Sequence, residues 1–340
     1  MPLFKDISLT DTDYFRAVVL YGRNVASYKF ALAESLFKIA SEDKDFVTLE
    51  QLADPFTEAL CRHLQLQDKQ TTSRSSKFLD TLRDFNQGLI SKTKKIDVAA
   101  RLGFINVIDA FHVVGSGEIP VRFFHDERNS STPGIRLTDE LFEISNTESR
   151  DLVKENESRW ALVESAWAYN LPKRLAIVAP DEKLESLFYK IDGKNRRGSV
   201  TGARDALNGY QRGKCFYCKR QVHIEDWSDR KERGEVDHVF PKKLQGKRYF
   251  DFDLDQIWNL VLSCNDCNSM SNKGDKYPNE IIVEELYWRN EKLLKSMPPL
   301  RESITVRTGK TSSTRKDFLQ SCYNEAHREL VHPFEAAQNL

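Results

Sequence analysis

Apolar residues recur at three- and four-residue steps through much of the first 170 positions, the spacing of one buried helix face. Val25, Tyr28, Leu32, Leu36 and Ile39 form such a stripe in a helix predicted over residues 13–40. Thr48 is placed to cap a short turn, and Asp54-Pro55 reads as the N-cap and first position of the next helix, running to about Leu66. The polar stretch 67–76 reads as a loop, and Phe78, Leu82, Phe85 and Leu89 mark another helix. Short helical segments are predicted over 96–113 and a long helix over 148–169, with Leu152, Trp160, Val163 and Trp167 on one face. Stripes of this kind read as a helical core rather than a cofactor box.

Elsewhere the pattern changes. Gly115 and Gly117 interrupt the helices, and 121–124 and 135–141 look extended around the turn-rich 129–134. Helices followed by a hairpin fit a winged-helix DNA reader, with recognition helix 101–110, or an ordinary α+β scaffold; few side chains on 101–110 could reach base edges. Leu171-Pro172 ends the long helix, and a short apolar run at 175–178 leads into a glycine-punctuated basic linker. Thr201 is placed to cap a helix reaching Gln211. Strands are predicted at 236–240, stopped by Pro241, and at 257–262; helices follow at 280–294 and up to about Val331. The expected fold class is mainly α with small β elements (α+β). The expected domains are a mostly helical region 1–195 for target or partner recognition, a module 196–280, and a helical extension 281–340.

Lys plus Arg equals Asp plus Glu at 51 each, so net charge does not announce a nucleic-acid binder, and distribution matters more than the sum. Lys190, Lys194, Arg196, Arg197, Arg204, Arg212, Lys214, Lys219 and Arg220 crowd one stretch against only Asp192 and Asp205. Such a cluster can track a phosphate backbone; a solvated basic face is the plainer reading. No signal-peptide pattern and no apolar run of membrane-spanning length is present, so a cytoplasmic protein with no membrane partner is expected. A reducing compartment suits thiolate chemistry and disfavours disulfides. Cys61 and Cys322 sit in apolar or helical surroundings and read as inert thiols.

The other four cysteines form two Cys-x-x-Cys pairs, Cys215/Cys218 and Cys264/Cys267, which together supply the closed tetrahedral shell of structural zinc. Between them lie Asp237-His238 on the first predicted strand and Asn259 on the second; Asn268 follows the last cysteine, placed to start a short helix. This strand, loop, strand, helix order stapled by zinc resembles the HNH, or ββα-metal, endonucleases. The likeness rests on Asp237-His238, Asn259 and Asn268, the last standing where the family has His or Asn. A looser likeness, in the runs beginning at Asn24 and Gly134, is to bacterial HNH proteins with an uncharacterised N-terminal region.

Phosphodiester hydrolysis needs a water nucleophile, charge stabilisation at the phosphate and help for the leaving oxygen. A neutral imidazole suits general-base work at cellular pH, the role assigned to His238. Asp237 and Asn268 offer hard oxygen ligands for Mg²⁺ or Mn²⁺. Asn268 is equally suited to cap a helix, which is compatible with metal binding. Asn259 reads as holding the loop and orienting His238, and Arg196, Arg197, Arg204, Arg212, Lys214 and Lys273 as phosphate contacts.

The resemblance implies a metal-dependent endonuclease acting on DNA, RNA not being excluded, in bacterial restriction or anti-phage defence. One such site cuts one strand, so a double-strand break calls for a homodimer, a second engagement or a defence-system partner. Two rivals stand beside it: a zinc-stabilised nucleic-acid-binding module without catalysis, and a subunit whose nuclease stays silent until a partner arrives.

Overall fold

A reciprocal cap opens the first helix: Thr10 accepts from the Asp13 backbone N–H while the Asp13 carboxylate accepts from Thr10 N–H at 3.0 Å. The computed structural model describes residues 9–22, 25–115, 117–168, 176–180, 186–191, 194–224, 232–295 and 300–335. It divides into two compact units, Met1–Asn170 and Leu171–Leu340.

In the first unit, α1 (Asp11–Tyr21) and α2 (Tyr28–Ala40) replace the single helix expected from 13 to 40. The break falls at Gly22, where a Cβ would lie 2.3 Å from the Val18 carbonyl oxygen. β1 (Phe46–Thr48) runs directly into α3 (Leu49–Leu66). Thr48, not Asp54, is the N-cap, in a capping box with Gln51, and Pro55 lies inside the helix. The capping box satisfies two orphan backbone donors, so the helix starts there and tolerates the bond that Pro55 cannot make. α4 (Lys77–Asn86), α5 (Lys92–Leu102) and α6 (Val107–Ala110) follow, so 101–110 is not one recognition helix. β2 (Val113–Val114) and β3 (Gly117–Glu118) pair as a short hairpin. β4 (Phe124–Asp126) and β5 (Gly134–Leu137) make the expected hairpin, but β5 also pairs with β1, tying it into a three-stranded sheet. α7 (Asp139–Ala168) starts earlier than expected, because Leu141 and Ile144 extend its buried face.

The helices close around an apolar core that includes Phe15, Phe30, Leu36, Phe56, Phe111 and Trp160. One polar network is buried with it. His63 of α3 stacks on Trp160 at 3.5 Å with rings 2° from parallel. Its ring nitrogens meet Glu164 at 2.9 Å and Glu157 at 3.2 Å, both also on α7. Gln70 closes the network, donating to Glu164 and accepting from Trp160. Burial opposes protonation of His63, but the two carboxylates outweigh it and raise its pKa to about 9.

The second unit includes three antiparallel strands, β6 (Ala176–Pro180) over the short apolar run, and β7 (Ser186–Ile191) and β8 (Lys194–Gly202) in the stretch expected to be a basic linker. The unit boundary therefore falls at 170/171, upstream of the position near 195 expected from the glycines and charge. α8 (Ala203–Asn208) ends in a 3₁₀ turn at Gly209–Gln211, the first Cys-x-x-Cys pair follows, and β9 (Gly234–His238), β10 (Leu260–Cys264) and α9 (Asn265–Asn268) come after it. β11 (Tyr277–Pro278), α10 (Glu280–Lys295), α11 (Leu300–Thr308), α12 (Ser312–Glu329) and β12 (Pro333–Phe334) complete it. The last helices pack into the same unit as the two knuckles. Arg289 donates to the carbonyls of Ile257 at 3.1 Å and Trp258 at 3.2 Å, Asn290 also donates to Trp258, and Phe318 packs edge-on against the Trp258 ring. Burial pulls the Arg289 pKa down to about 9.

The raised pKa of His63 sets a pH window. Its contribution to stability is complete below about pH 6.5 and is lost as pH rises through about 9. The excess stability of the wild type over a His63→Gln variant should therefore shrink, by on the order of 2 kcal/mol, between those values, as read from denaturant midpoints at each pH.

Candidate metal centre and active site

β9 and β10 run antiparallel with His238 opposite Leu260, Asp237 opposite Val261 and Gly234 opposite Cys264. That register sets the end of β10 and the start of β9 beside the first knuckle. A Cβ on Gly234 would meet the Leu262 side chain at 3.0 Å, so the strands close tightly there. The outer edge of β10 is also satisfied. Gln211 accepts from Leu262 N–H at 2.8 Å and donates to its carbonyl at 2.7 Å, and Phe216 N–H donates to the same carbonyl at 2.9 Å. Side chain and knuckle thus stand in for a third strand.

The first knuckle turns on Lys219, whose φ is 61°, with Lys219 N–H on the Cys215 carbonyl at 3.1 Å and Cys215 N–H on that of Arg220 at 2.8 Å. The second is the first turn of α9. Together they bring the sulfurs of Cys215, Cys218, Cys264 and Cys267 within 4.8 Å of one another, all four residues buried. Cys218 and Cys264 Sγ are 3.7 Å apart, close to the edge of a tetrahedron with Zn–S bonds of ~2.3 Å. The donor set fits zinc. Four thiolates around a divalent ion leave about two net negative charges, and Arg220 faces them: Nε lies 3.4 Å from Cys218 Sγ and Nη2 3.8 Å from Cys264 Sγ. Those hydrogen bonds, with Asp266 at 3.0 Å, raise its pKa above the ordinary arginine value.

Alternation along β9 puts Glu235 and Asp237 on one face and His238 on the other. Asp237 is buried: Tyr217, the third residue of the first knuckle, donates to its Oδ2 at 2.6 Å, and Lys273 Nζ lies 3.3 Å away. Burial first, and then the Asp237 charge, hold the Tyr217 phenol well above its usual pKa, so it stays a donor. Phe334 of β12 packs edge-on against the Tyr217 ring at 5.1 Å. Asn268 is the last residue of α9, not its cap; Cys264 holds the N-cap position. Asn268 Nδ2 donates to Glu235 at 3.0 Å, as does Asn265 at 3.2 Å. The hard oxygens of Glu235 and Asp237 thus share a strand face that α9 reaches through Asn268.

His238 Nε2 meets Asp255 Oδ1 at 2.7 Å, and Lys242 holds the other carboxylate oxygen at 2.6 Å. Burial pushes the Asp255 carboxyl up, but hydrogen bonds from His238 and Lys242 outweigh it and bring its pKa to about 2. Asn259 is wholly buried and clasps the loop that leaves β9: its Oδ1 accepts from Phe240 N–H at 2.8 Å, and Nδ2 donates to the carbonyls of Phe240 at 3.0 Å and Leu254 at 3.1 Å.

The basic residues divide. Arg196 and Arg197 stand on β8. Arg204 and Arg212 are half-buried and Lys214 is exposed. Lys273 is only 1% exposed, with its ammonium on Asp237, so a phosphate contact would require it to leave that carboxylate. Lys219 and Arg220 are spent on Glu285 and Asp266.

Four contributors escaped sequence reasoning. Glu235 was within reach, since it sits two residues before Asp237 on a strand. Asp251, Asp253 and Asp255 gave no basis for choosing the last. Tyr217 carries no signal apart from the knuckle itself, and Arg220 was read only as part of the basic cluster, not as a partner of the thiolates.

Residues 215–274 match the family model of the HNH endonucleases, and this stretch is an HNH endonuclease domain with four cysteines placed to bind a metal. No curated protein and no solved structure matches the chain. Among the described residues, no helix is long and apolar enough to cross a membrane.

Because all four sulfurs are needed to close the tetrahedral shell, Cys264→Ser should cut bound zinc from about one ion per chain to near none. Cooperative unfolding of the second unit should be lost with it, as read by metal analysis and thermal denaturation.

Proposed function

We propose that the module of residues 196–280, supported by the helices of 281–340, is a metal-dependent endonuclease that hydrolyses DNA phosphodiester bonds, with the first unit, Met1–Asn170, choosing the target. The observation that carries this reading is the His238–Asp255 contact beside Asp237 inside the HNH domain. The Asp255 carboxylate accepts a hydrogen bond from Nε2–H, fixing the tautomer in which Nδ1 is the acceptor; Nδ1 has no partner among the described residues. A ring held this way can take a proton from an attacking water at neutral pH. Asp237 and the Asn268 carbonyl are the ligands proposed for a divalent ion, Mg²⁺ or Mn²⁺, with Glu235 at hand. When bound, that ion supplies Lewis-acid stabilisation of charge on the phosphate and the leaving oxygen. Tyr217 keeps one Asp237 oxygen fixed, and Asn259 holds the backbone that follows His238. Arg204, Arg212 and Lys214, with Arg196 and Arg197, are the proposed phosphate contacts, and RNA is the other substrate this chemistry would accept. A role in bacterial restriction or anti-phage defence rests on the resemblance drawn from the sequence.

One observation favours a second reading, a nuclease silent until a partner engages it. Asp237 is already paired with buried Lys273, so a cation entering there competes with an ammonium in place. A homodimer or a defence-system protein that shifts Lys273 would release the carboxylate.

Supercoiled plasmid should be nicked by the zinc-loaded protein with Mg²⁺ or Mn²⁺ and left intact with EDTA. His238→Ala should lower the rate by roughly 10²–10⁴-fold while retaining zinc; undiminished cutting by that variant would remove His238 from the mechanism. No cutting by the folded, zinc-loaded wild type with either metal would favour the gated reading. A separate prediction concerns Asp255, which acts through His238. Asp255→Asn should lower kcat by about 10–100-fold with KM for plasmid unmoved, and Asp255→Glu should recover part of the loss.

A further inference from the structure

The first unit holds an open cavity of about 760 Å³ at the N-terminal end of α2, a volume typical of small-molecule sites, which run ~300–1,000 Å³. Its walls are mainly apolar, and three side chains that line it leave much of their surface to solvent: Val25 (50%), Leu102 (39%) and Ile105 (54%). Exposed apolar side chains gathered at one concavity mark a binding surface more often than chance scatter does.

At one end of this cavity lies Lys29, itself only 4% exposed. Its recorded polar contact is the Val113 carbonyl at 3.2 Å. Among the described residues no carboxylate offsets the cost of burying its charge, and burial pulls its pKa down to about 8. Lys29 also lies in the first turn of α2, where the helix dipole is positive and cations are disfavoured. Ser27, the N-cap residue, makes no side-chain capping bond. A buried ammonium and an uncapped helix start therefore add to each other, and Lys77 on the cavity lining adds a third positive charge. What relieves this arrangement is an anion. The lining also presents Ser73, Ser75 and Asn106, hydrogen-bonding groups that an alkyl chain would leave unused.

We infer that this cavity binds a nucleotide, with its phosphate on Lys29 and the N-terminus of α2, its base against Phe78, Leu102 and Ile105, and its polar edges on the hydroxyl and amide groups of the lining. The site is independent of the nuclease reading, since none of these residues lies in the HNH domain. The nucleotide can be free, or it can be one unit of a nucleic-acid strand, at an end or turned out of a duplex; the contacts are the same.

Calorimetric titration of the full-length, zinc-loaded chain without added Mg²⁺ separates these sources. The probes are the four deoxynucleoside 5′-monophosphates, deoxyadenosine, inorganic phosphate and a 5′-phosphorylated single-stranded oligonucleotide. At least one monophosphate should bind saturably, with deoxyadenosine and inorganic phosphate about tenfold weaker or more, because each keeps only half of the contacts. Lys29→Met should weaken binding by about tenfold or more, since it removes a charge-assisted hydrogen bond while keeping an apolar stem. Ile105→Glu, a change at an exposed position, should do the same by putting a solvated carboxylate where the base packs, and it carries the test should Lys29→Met fail to fold. Binding of the oligonucleotide alone, weakened by the same variants, would support the site and assign its ligand to a strand. Absence of saturable binding by every probe would overturn the inference, as would binding that neither folded variant weakens.

Discussion

The second unit depends on one constraint, the meeting of two thiol pairs that lie 46 residues apart at Cys218 and Cys264. The knuckles are too short to hold themselves, and the elements between them are small: two five-residue strands and a four-residue helix. Structural zinc sites are typically worth roughly 10–16 kcal/mol in isolated fingers, comparable with the whole stability of a domain. Such a clamp can hold polar groups in a small module that an apolar core alone would not support. Asp237, Asn259 and Lys273 are each buried within this frame, and each is satisfied by a named partner.

What was legible in the sequence follows from that clamp. Cysteine spacing is a local signal with a specific stereochemical reason, and it led directly to Asp237, His238, Asn259 and Asn268. The helical stripes were legible for the same kind of reason, since burial on one face of a 3.6-residue period leaves its mark on composition. What failed to show were choices made by tertiary contact. Thr48 overrides the Asp54-Pro55 signal because its partner Gln51 is in reach. The stretch expected to be a linker becomes β7 and β8 because strand pairing, unlike helix amphipathicity, is settled by partners distant in sequence. Asp255 could not be told from Asp251 or Asp253 because only the turn of the 239–254 loop, clasped by Asn259, brings it onto His238.

Charge in the module is arranged in matched pairs rather than as a field. Arg220 answers the thiolates and Asp266, Lys242 answers Asp255, and Lys273 answers Asp237. Arg289 differs: buried, and bonded among the described residues to carbonyl oxygens, it ties the chain just ahead of β10 to α10.

The contact between Phe334 and Tyr217 has a consequence in time as well as space. Tyr217 steadies Asp237, and the ring that braces Tyr217 belongs to a strand near the far end of the second unit, paired in parallel with Tyr277–Pro278. A polypeptide leaves the ribosome from its N-terminus, so both knuckles can close on their metal well before residue 334 has been made. During that interval the carboxylate lacks its final support. The growing chain would pass through a metal-stapled yet unbraced stage, with the Asp237 carboxylate steadied only after the knuckles have closed.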